Sequence, residues 1–329
     1  MENSVSDFVL TFVSIIWEAF PFVVLGAIVA GVLEELVPQQ AIAKLIPKNR
    51  LLAVCVGGLL GLIFPMCECG IVPVMRRLLR KGLPLGTCVA YMLAGPIINL
   101  VVIGSTIVAF RQHGIATEMV ALRVGLGFIV AIITASIVQA QYAKYGNTLL
   151  TPLAAPQTTA TSGLPLPVLD QPQVHPSERR AGESKPLFQR LANISETALH
   201  DFIDIMVFLT LGACLAALTK SYFTADTVRE MSQGYPALTI IGMMVAAVVM
   251  CLCSEADAFV AASFTTLEPA SKLAFLVLGP MFDFKLLLMF TRVFRKRIIV
   301  TIIIAVSVQV FLYTLAVHYL KIFPSVAGG

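Results

Sequence analysis

The stretch Phe64-Pro65-Met66-Cys67-Glu68-Cys69-Gly70-Ile71-Val72-Pro73-Val74 decides how this chain is read. Two thiols flank a carboxylate inside an otherwise apolar run, with Pro65 before them and Gly70 and Pro73 after. On a continuous α-helix, residues i and i+2 point in widely separated directions, so Cys67 and Cys69 face one ion together only in extended or unwound backbone. The flanking prolines and glycine favour such a break. A second C-x-C, Cys251-Leu252-Cys253, lies 184 positions on in another apolar run and is followed by Ser254, Glu255 and Asp257. It has no prolines around it, so the case for unwinding is thinner there.

The shift of 184 recurs outward from the motif. It carries Gly95-Pro96 onto Gly279-Pro280, Asn99 onto Asp283 and Arg111 onto Arg295. Nearer the start of each half the best shift is 186, which pairs Glu18 with Asp204 and Gly26 with Gly212. A two-residue loop difference reconciles the two. The chain therefore reads as two homologous halves, and repeated halves with a site between them are a common plan for secondary transporters. The Gly-Pro pairs are expected to interrupt helices and free backbone carbonyls, with Asn99 and Asp283 one turn later as further oxygen ligands. Lys285 reads as a neutralising neighbour of Asp283.

Composition sets the solvent. Of 329 residues, 58% are hydrophobic and 13% charged, far from the balance of a water-soluble domain. Eight hydrophobic segments, near 7–33, 51–75, 83–110, 119–141, 197–219, 236–262, 272–291 and 298–320, are of the length that spans a bilayer. The expected fold is an all-α polytopic membrane protein of about four segments per half, with broken or re-entrant helices at the motifs. The N-terminus has neither a basic region nor a small-residue cleavage site, so the first segment reads as a permanent helix. Between the halves, Pro152, Pro156, Pro165, Pro167, Pro172, Pro176 and Pro186 stand among Thr, Ser, Gln and Gly. That composition cannot offset its ordering entropy by burial. The expected organisation is a membrane repeat over 1–144, a Pro/Thr-rich flexible linker over 145–195 and a second membrane repeat over 196–329.

The net charge of +4 is spread through loops, which fits membrane orientation and not nucleic-acid binding. The basic clusters Arg76, Arg77, Arg80, Lys81 and Arg292, Arg295, Lys296, Arg297 should share the cytoplasmic face. They fall on opposite faces if all eight segments cross. Re-entrant hairpins remove the conflict, since irregular backbone at membrane depth is tolerated where it lines a cavity in protein.

Thiolates prefer soft ions, so Cys67, Cys69, Cys251 and Cys253 are expected to close around Zn(II) or Cu(I), or a subset of them around a trivalent arsenical. The acids Glu68, Glu255 and Asp257 join that set. Ionisable groups at membrane depth are costly and face a pathway or a partner, which makes Glu18 and Asp204 the candidates for proton or cation coupling. Cys55, Cys88 and Cys214 have no counterpart in the other half and read as small hydrophobes. The four histidines form no ligand spacing. There is no phosphate-binding loop, no C-x-x-C and no hydrolase motif, so no enzymatic activity is expected.

At FPMCECGIVPV (Phe64–Val74), AGPIIN (Ala94–Asn99) and CSEADAFVAASF (Cys253–Phe264) the chain resembles the bacterial predicted-permease family that includes the trivalent organoarsenical efflux permeases (ArsP-type), in a branch described as two-component permease subunits. The resemblance covers nearly everything but the linker. It implies a multi-pass permease of the bacterial inner membrane that expels a soft metal or metalloid through its cysteines, with no permanently bound cofactor. It also implies a second permease subunit or a metal-binding partner protein. Two transport readings stand, a metal cation or an organoarsenical. A third, a membrane thiol relay passing electrons, belongs to another class.

Overall fold

The structure is a computed structural model that describes residues 2–36, 47, 49–63, 66–151, 187–222 and 236–323. Pro65 and residues 152–186 of the expected linker lie outside the described residues. Twelve α-helices are found among those described: α1 (Glu2–Leu36), α2 (Arg50–Ile63), α3 (Glu68–Arg80), α4 (Leu85–Ala94), α5 (Leu100–Phe110), α6 (Ala116–Tyr145), α7 (Leu187–Tyr222), α8 (Pro236–Met250), α9 (Ser254–Ser263), α10 (Pro269–Leu278), α11 (Phe284–Val293) and α12 (Lys296–Tyr319). Helix α7 begins at Leu187, so residues 187–195 are helical and continuous with the apolar segment that follows.

Stretches of α1, α6, α7 and α12 are long and apolar enough to cross a membrane. Their outward faces carry rows such as Val300, Ile304, Val308 and Leu312, exposed at a spacing of four. In water these rows would be aggregation surfaces; against lipid they are the solvated face. The other eight helices are 10 to 15 residues long. At 1.5 Å per residue a ten-residue helix reaches about 15 Å, half of a hydrocarbon core of about 30 Å.

Four of the expected segments are therefore split, and each split falls at a motif. The segment near 51–75 divides before α3 at Cys67, 83–110 at Gly95–Asn99, 236–262 at Cys251–Cys253, and 272–291 at Gly279–Asp283. Two residues expected to break helices do not. Pro73 sits inside α3, and Gly70 lies in its first turn. Because α3 starts at Glu68, Pro73 falls in the second turn and deprives only the Cys69 carbonyl of an intrahelical donor. Gly70 serves packing: a Cβ there would lie 2.8 Å from the Phe22 carbonyl oxygen, and one on Gly26 would lie 2.5 Å from the Gly70 oxygen. The proline-free break is real, and Cys251 sits in it with φ 54, a conformation unusual for a residue with a side chain.

The helix ends sort onto two faces. On one, Lys81 Nζ donates to the Leu33 and Glu34 carbonyls at 2.6 and 2.7 Å, at the end of α1. Arg76 of α3 and Arg292 of α11 both pair with Asp204 of α7, at 3.4 and 3.2 Å, and Arg297 stacks over Tyr145 at the end of α6. On the other face His318, near the end of α12, meets Glu268, the cap of α10, at 2.6 Å. The two basic clusters thus share one face. Helix α2 runs alongside α4 in the same direction, with Gly57 against Thr87 and Gly61 against Gly95. The α2–α3 pair therefore enters and leaves on the basic face, with Cys67 at its inner end. Helices α6 and α12 are antiparallel, tied by Gln141–Thr301 and Gln309–Thr134 hydrogen bonds of 3.0 and 2.9 Å.

Candidate functional site

The inner ends of the short helices meet in the buried interior. Cys67 caps the N-terminus of α3 and Cys253 caps that of α9, both in extended backbone. The Cys67 thiol is within hydrogen-bonding reach of both Cys69 and Cys253, so two thiols from the first half meet one from the second. All three are buried. Cys251 stands apart from them. Its sulfur accepts from the Lys285 backbone N–H at 3.4 Å and packs with Ile15 and Ala213. Among the described residues, no group of three or more His, Cys, Asp and Glu side chains forms a ready-made metal site. Cys67 is the thiol that touches both of the others.

Beside them lies a cluster of charge. Lys285, on the first turn of α11, has no exposed side-chain surface, and its ammonium pairs with Glu68 Oε1 at 2.8 Å and Asp283 Oδ2 at 3.4 Å. It also donates to the carbonyls of Cys251 and Leu252 at 3.2 and 3.1 Å. Those carbonyls are available because the chain unwinds at 251–253. Glu18 of α1 lies within electrostatic reach of Lys285 and Glu68. Glu255 is within reach of Glu68 and Glu18. Asp257 is within reach of Lys285 and Arg123.

Asn99 and Asp283 use one oxygen each as helix caps. Asn99 Oδ1 accepts from Val101 N at 2.9 Å, and Asp283 Oδ1 from Leu286 N at 2.7 Å. This leaves Asp283 Oδ2 free to face Lys285. Gly95 and Gly279 close α4 and α10 directly before Pro96 and Pro280. A Cβ on Gly279 would stand 2.9 Å from Asp257 Oδ2, so the glycine makes room for that carboxylate. Asp204 keeps different company, in the Arg76 and Arg292 pairs at the basic face. A small cavity of about 20 Å³ opens there, lined by Val72, Arg76, Asp204, Phe208, Met289 and Arg292 among others. Val72 is one turn beyond Cys69 and Met289 one turn beyond Lys285, so the cavity approaches the buried cluster from the basic side.

Sequence reasoning missed Arg123. It is 1% exposed on α6, and its guanidinium donates to Thr106 Oγ1 at 2.7 Å and to the Ser254 carbonyl at 2.8 Å, joining the two halves beside Asp257. A lone cation inside an apolar span was the available signal. Lys285 was assigned to Asp283 by adjacency, while its nearest carboxylate is Glu68.

Helix α7 presses on this cluster. A Cβ added to Gly212 would lie 2.6 Å from Lys285 Cα, and neither backbone can rotate away. Gly212→Ala is expected to destabilise the protein by about 1–3 kcal/mol through overpacking, read as a fall in the thermal unfolding midpoint of the purified protein. An unchanged midpoint would mean that α7 does not set the position of Lys285.

The model of a family described as "Predicted permease" (ArsP_1) matches residues 4–319. The chain is 38% identical to the UPF0718 protein YcgR of Bacillus subtilis, covering 93% of this chain and 95% of that protein. It is 32% identical to a protein of Streptococcus mutans serotype c named "Putative two-component membrane permease complex subunit", covering 98% of each. To the UPF0718 protein YraQ of Escherichia coli it is 24% identical over 40% of this chain and 36% of that one. No solved structure matches.

Proposed function

The chain belongs to the predicted-permease family, a family of transporters and not of enzymes, and from that premise we propose that it moves a soft metal or metalloid cation through the buried site between its halves. The observation that carries the reading is the meeting of Cys67 and Cys69 with Cys253 beside the carboxylates of Glu18, Glu68, Glu255, Asp257 and Asp283. Among the described residues, Lys285 and Arg123 are the cations beside these five acids, so the site favours an entering cation. Sulfur ligands select a soft one such as Zn(II) or Cu(I).

In this reading the halves are inverted repeats. The first has a long helix α1, a hairpin α2–α3 from the basic face, a broken span α4–α5 and a long helix α6. The second has α7, a hairpin α8–α9, a broken span α10–α11 and α12 in the same order but the opposite sense across the bilayer. Support comes from the matched caps, Cys67 with Cys253 and Asn99 with Asp283, and from sharing of the basic face by the clusters around Arg76 and Arg292. That face is the cytoplasmic one. The membrane is the bacterial inner membrane. A second permease subunit is proposed from the name of the Streptococcus mutans relative.

Moving a divalent ion outward against 100 mV costs about 4.6 kcal/mol before any concentration difference. Proton movement supplies the compensating force, with Glu18 at the centre and Asp204 at the mouth of the cavity on its route. The test is the metal content of the purified protein against the Cys67→Ser/Cys253→Ser variant. Loss of near-stoichiometric bound Zn or Cu in the variant is expected; equal content in both would remove the thiols as the site.

One observation favours an organoarsenical as the cargo. Cys67 touches Cys69 and Cys253 while Cys251 stands apart, and a trivalent organoarsenical, with one of its three bonds made to carbon, needs no more than two thiolates. Sensitivity of a deletion strain to methylarsenite, against sensitivity to zinc and copper salts, separates the two cargoes.

A further inference from the structure

The Lys285 ammonium occupies a chamber of four oxygens: Glu68 Oε1, Asp283 Oδ2 and the carbonyls of Cys251 and Leu252, between 2.8 and 3.4 Å away. Oxygen donors of this kind, two carboxylates and two unwound backbone carbonyls, suit a hard cation and differ from the neighbouring sulfurs. Broken helices in membrane transporters present freed carbonyls to alkali ions in the same way. The second carboxylate oxygen of Glu68, on a residue 2% exposed, has no hydrogen-bond partner. The chamber thus holds more acceptor capacity than Lys285 uses. Cys251, with φ 54, keeps one carbonyl turned toward it at the expense of backbone strain.

We propose that Lys285 is a tethered cation filling a second ion site, and that a monovalent alkali cation takes the oxygen chamber of Glu68, Asp283, Cys251 and Leu252 when the ammonium is absent or withdrawn. A monovalent ion exchanges one charge for one and leaves the buried balance unchanged. Among the described residues, the other charged and titratable groups within reach of the ammonium include Cys69, Cys251, Cys253, Glu18 and Asp257. The Cys69 and Cys253 sulfurs belong to the soft site, and the Cys251 sulfur is held by the Lys285 backbone N–H. In the resting protein Lys285 keeps ambient alkali ions from the acids while the soft cargo is recruited to the thiols. This deepens the transport reading and rests on it: the permease would carry a built-in competitor for its own coupling or counter-ion site.

The test uses the full-length protein purified without soft metal, with thermal unfolding followed in potassium, sodium or choline chloride at equal ionic strength. The wild-type midpoint is expected to be the same in all three, and so is that of Lys285→Arg. The midpoint of Lys285→Met is expected to rise by about 3 °C or more from choline to an alkali salt, saturably. The dependence should vanish in Lys285→Met/Glu68→Gln. A Lys285→Met protein that folds only in an alkali salt supports the proposal as well. Equal midpoints in all three salts, failure to fold in any of them, or a dependence that survives in the double variant each overturn it. Stabilisation by calcium or magnesium alone overturns the monovalent assignment. Failure here leaves the thiol site standing, because that site is read separately in the metal content of the Cys67→Ser/Cys253→Ser protein.

Discussion

Glu68→Gln is expected to cost about 3–5 kcal/mol of stability and to abolish transport. The magnitude follows from what remains behind. Lys285 has no exposed side-chain surface, and Glu68 is its nearest carboxylate at 2.8 Å, with Asp283 farther off at 3.4 Å. A glutamine of the same size keeps the packing and removes the charge, leaving a buried ammonium without its principal partner. Replacing both members by neutral groups is a different matter, since exchange of a whole buried pair is often neutral or stabilising. Lys285→Met/Glu68→Gln should therefore regain part of the lost stability, Asp283 being left without its cation, while remaining inactive in vesicle flux. Thermal unfolding of the two proteins decides the first half of the prediction and flux the second. A single variant as stable as the wild type would show that Glu68 does not hold Lys285.

Asp201→Asn is the second large effect, at the basic face. Asp201 has no exposed side-chain surface and accepts from Arg76 Nη2 and from Arg77, whose Nε is 3.0 Å and Nη2 2.9 Å away. Its loss leaves two nearly buried guanidinium groups adjacent, with Glu34 only 3.9 Å from Arg77 and the half-exposed Asp204 to share. A loss of about 3 kcal/mol is expected, toward the lower end for breaking a buried pair because both arginines retain some solvent contact. Asp204→Asn removes longer pairs, of 3.4 and 3.2 Å, from a side chain that is 42% exposed, and screening there limits the cost to about 1 kcal/mol or less. Parallel unfolding curves of the two variants check the ordering. Equal losses would mean that burial does not separate these carboxylates.

Local chemistry made the helix breaks legible. A C-x-C presents two sulfurs to one ion poorly from a continuous helix, and Gly-Pro disfavours continuing one, so the four interruptions were expected from residue type, the one at Cys251–Cys253 on the thinnest ground. The prolines around the first C-x-C were a poorer guide. Pro73 is absorbed by α3, while the second motif unwinds with no proline at all, through a left-handed Cys251. Under the proposed repeat, cap position pairs Cys67 with Cys253, a shift of 186, and Asn99 with Asp283, a shift of 184, which would put the two-residue difference after the first motif. What could not be read were the pairings between distant residues. Lys285 stands beside Asp283 in the chain and next to Glu68 in space. Asp201 has Glu196 and Asp204 as its charged neighbours in the chain and is buried under two arginines in space. Such partners depend on which faces of the short helices meet, and the periodicity of one helix marks its apolar face without naming the helix packed against it.

The paired hydrogen bonds between α6 and α12 bear on how such a machine can move. Gln141–Thr301 and Gln309–Thr134 lie roughly two turns apart along two antiparallel rods and lock their register like rungs of a ladder. Against hydrocarbon, sliding one rod along the other would strip both rungs with no water to replace them. In the proposed transport reading these two rods would be the stationary brace, leaving the admission and release of cargo to α1, α7 and the half-length helices that hang between them.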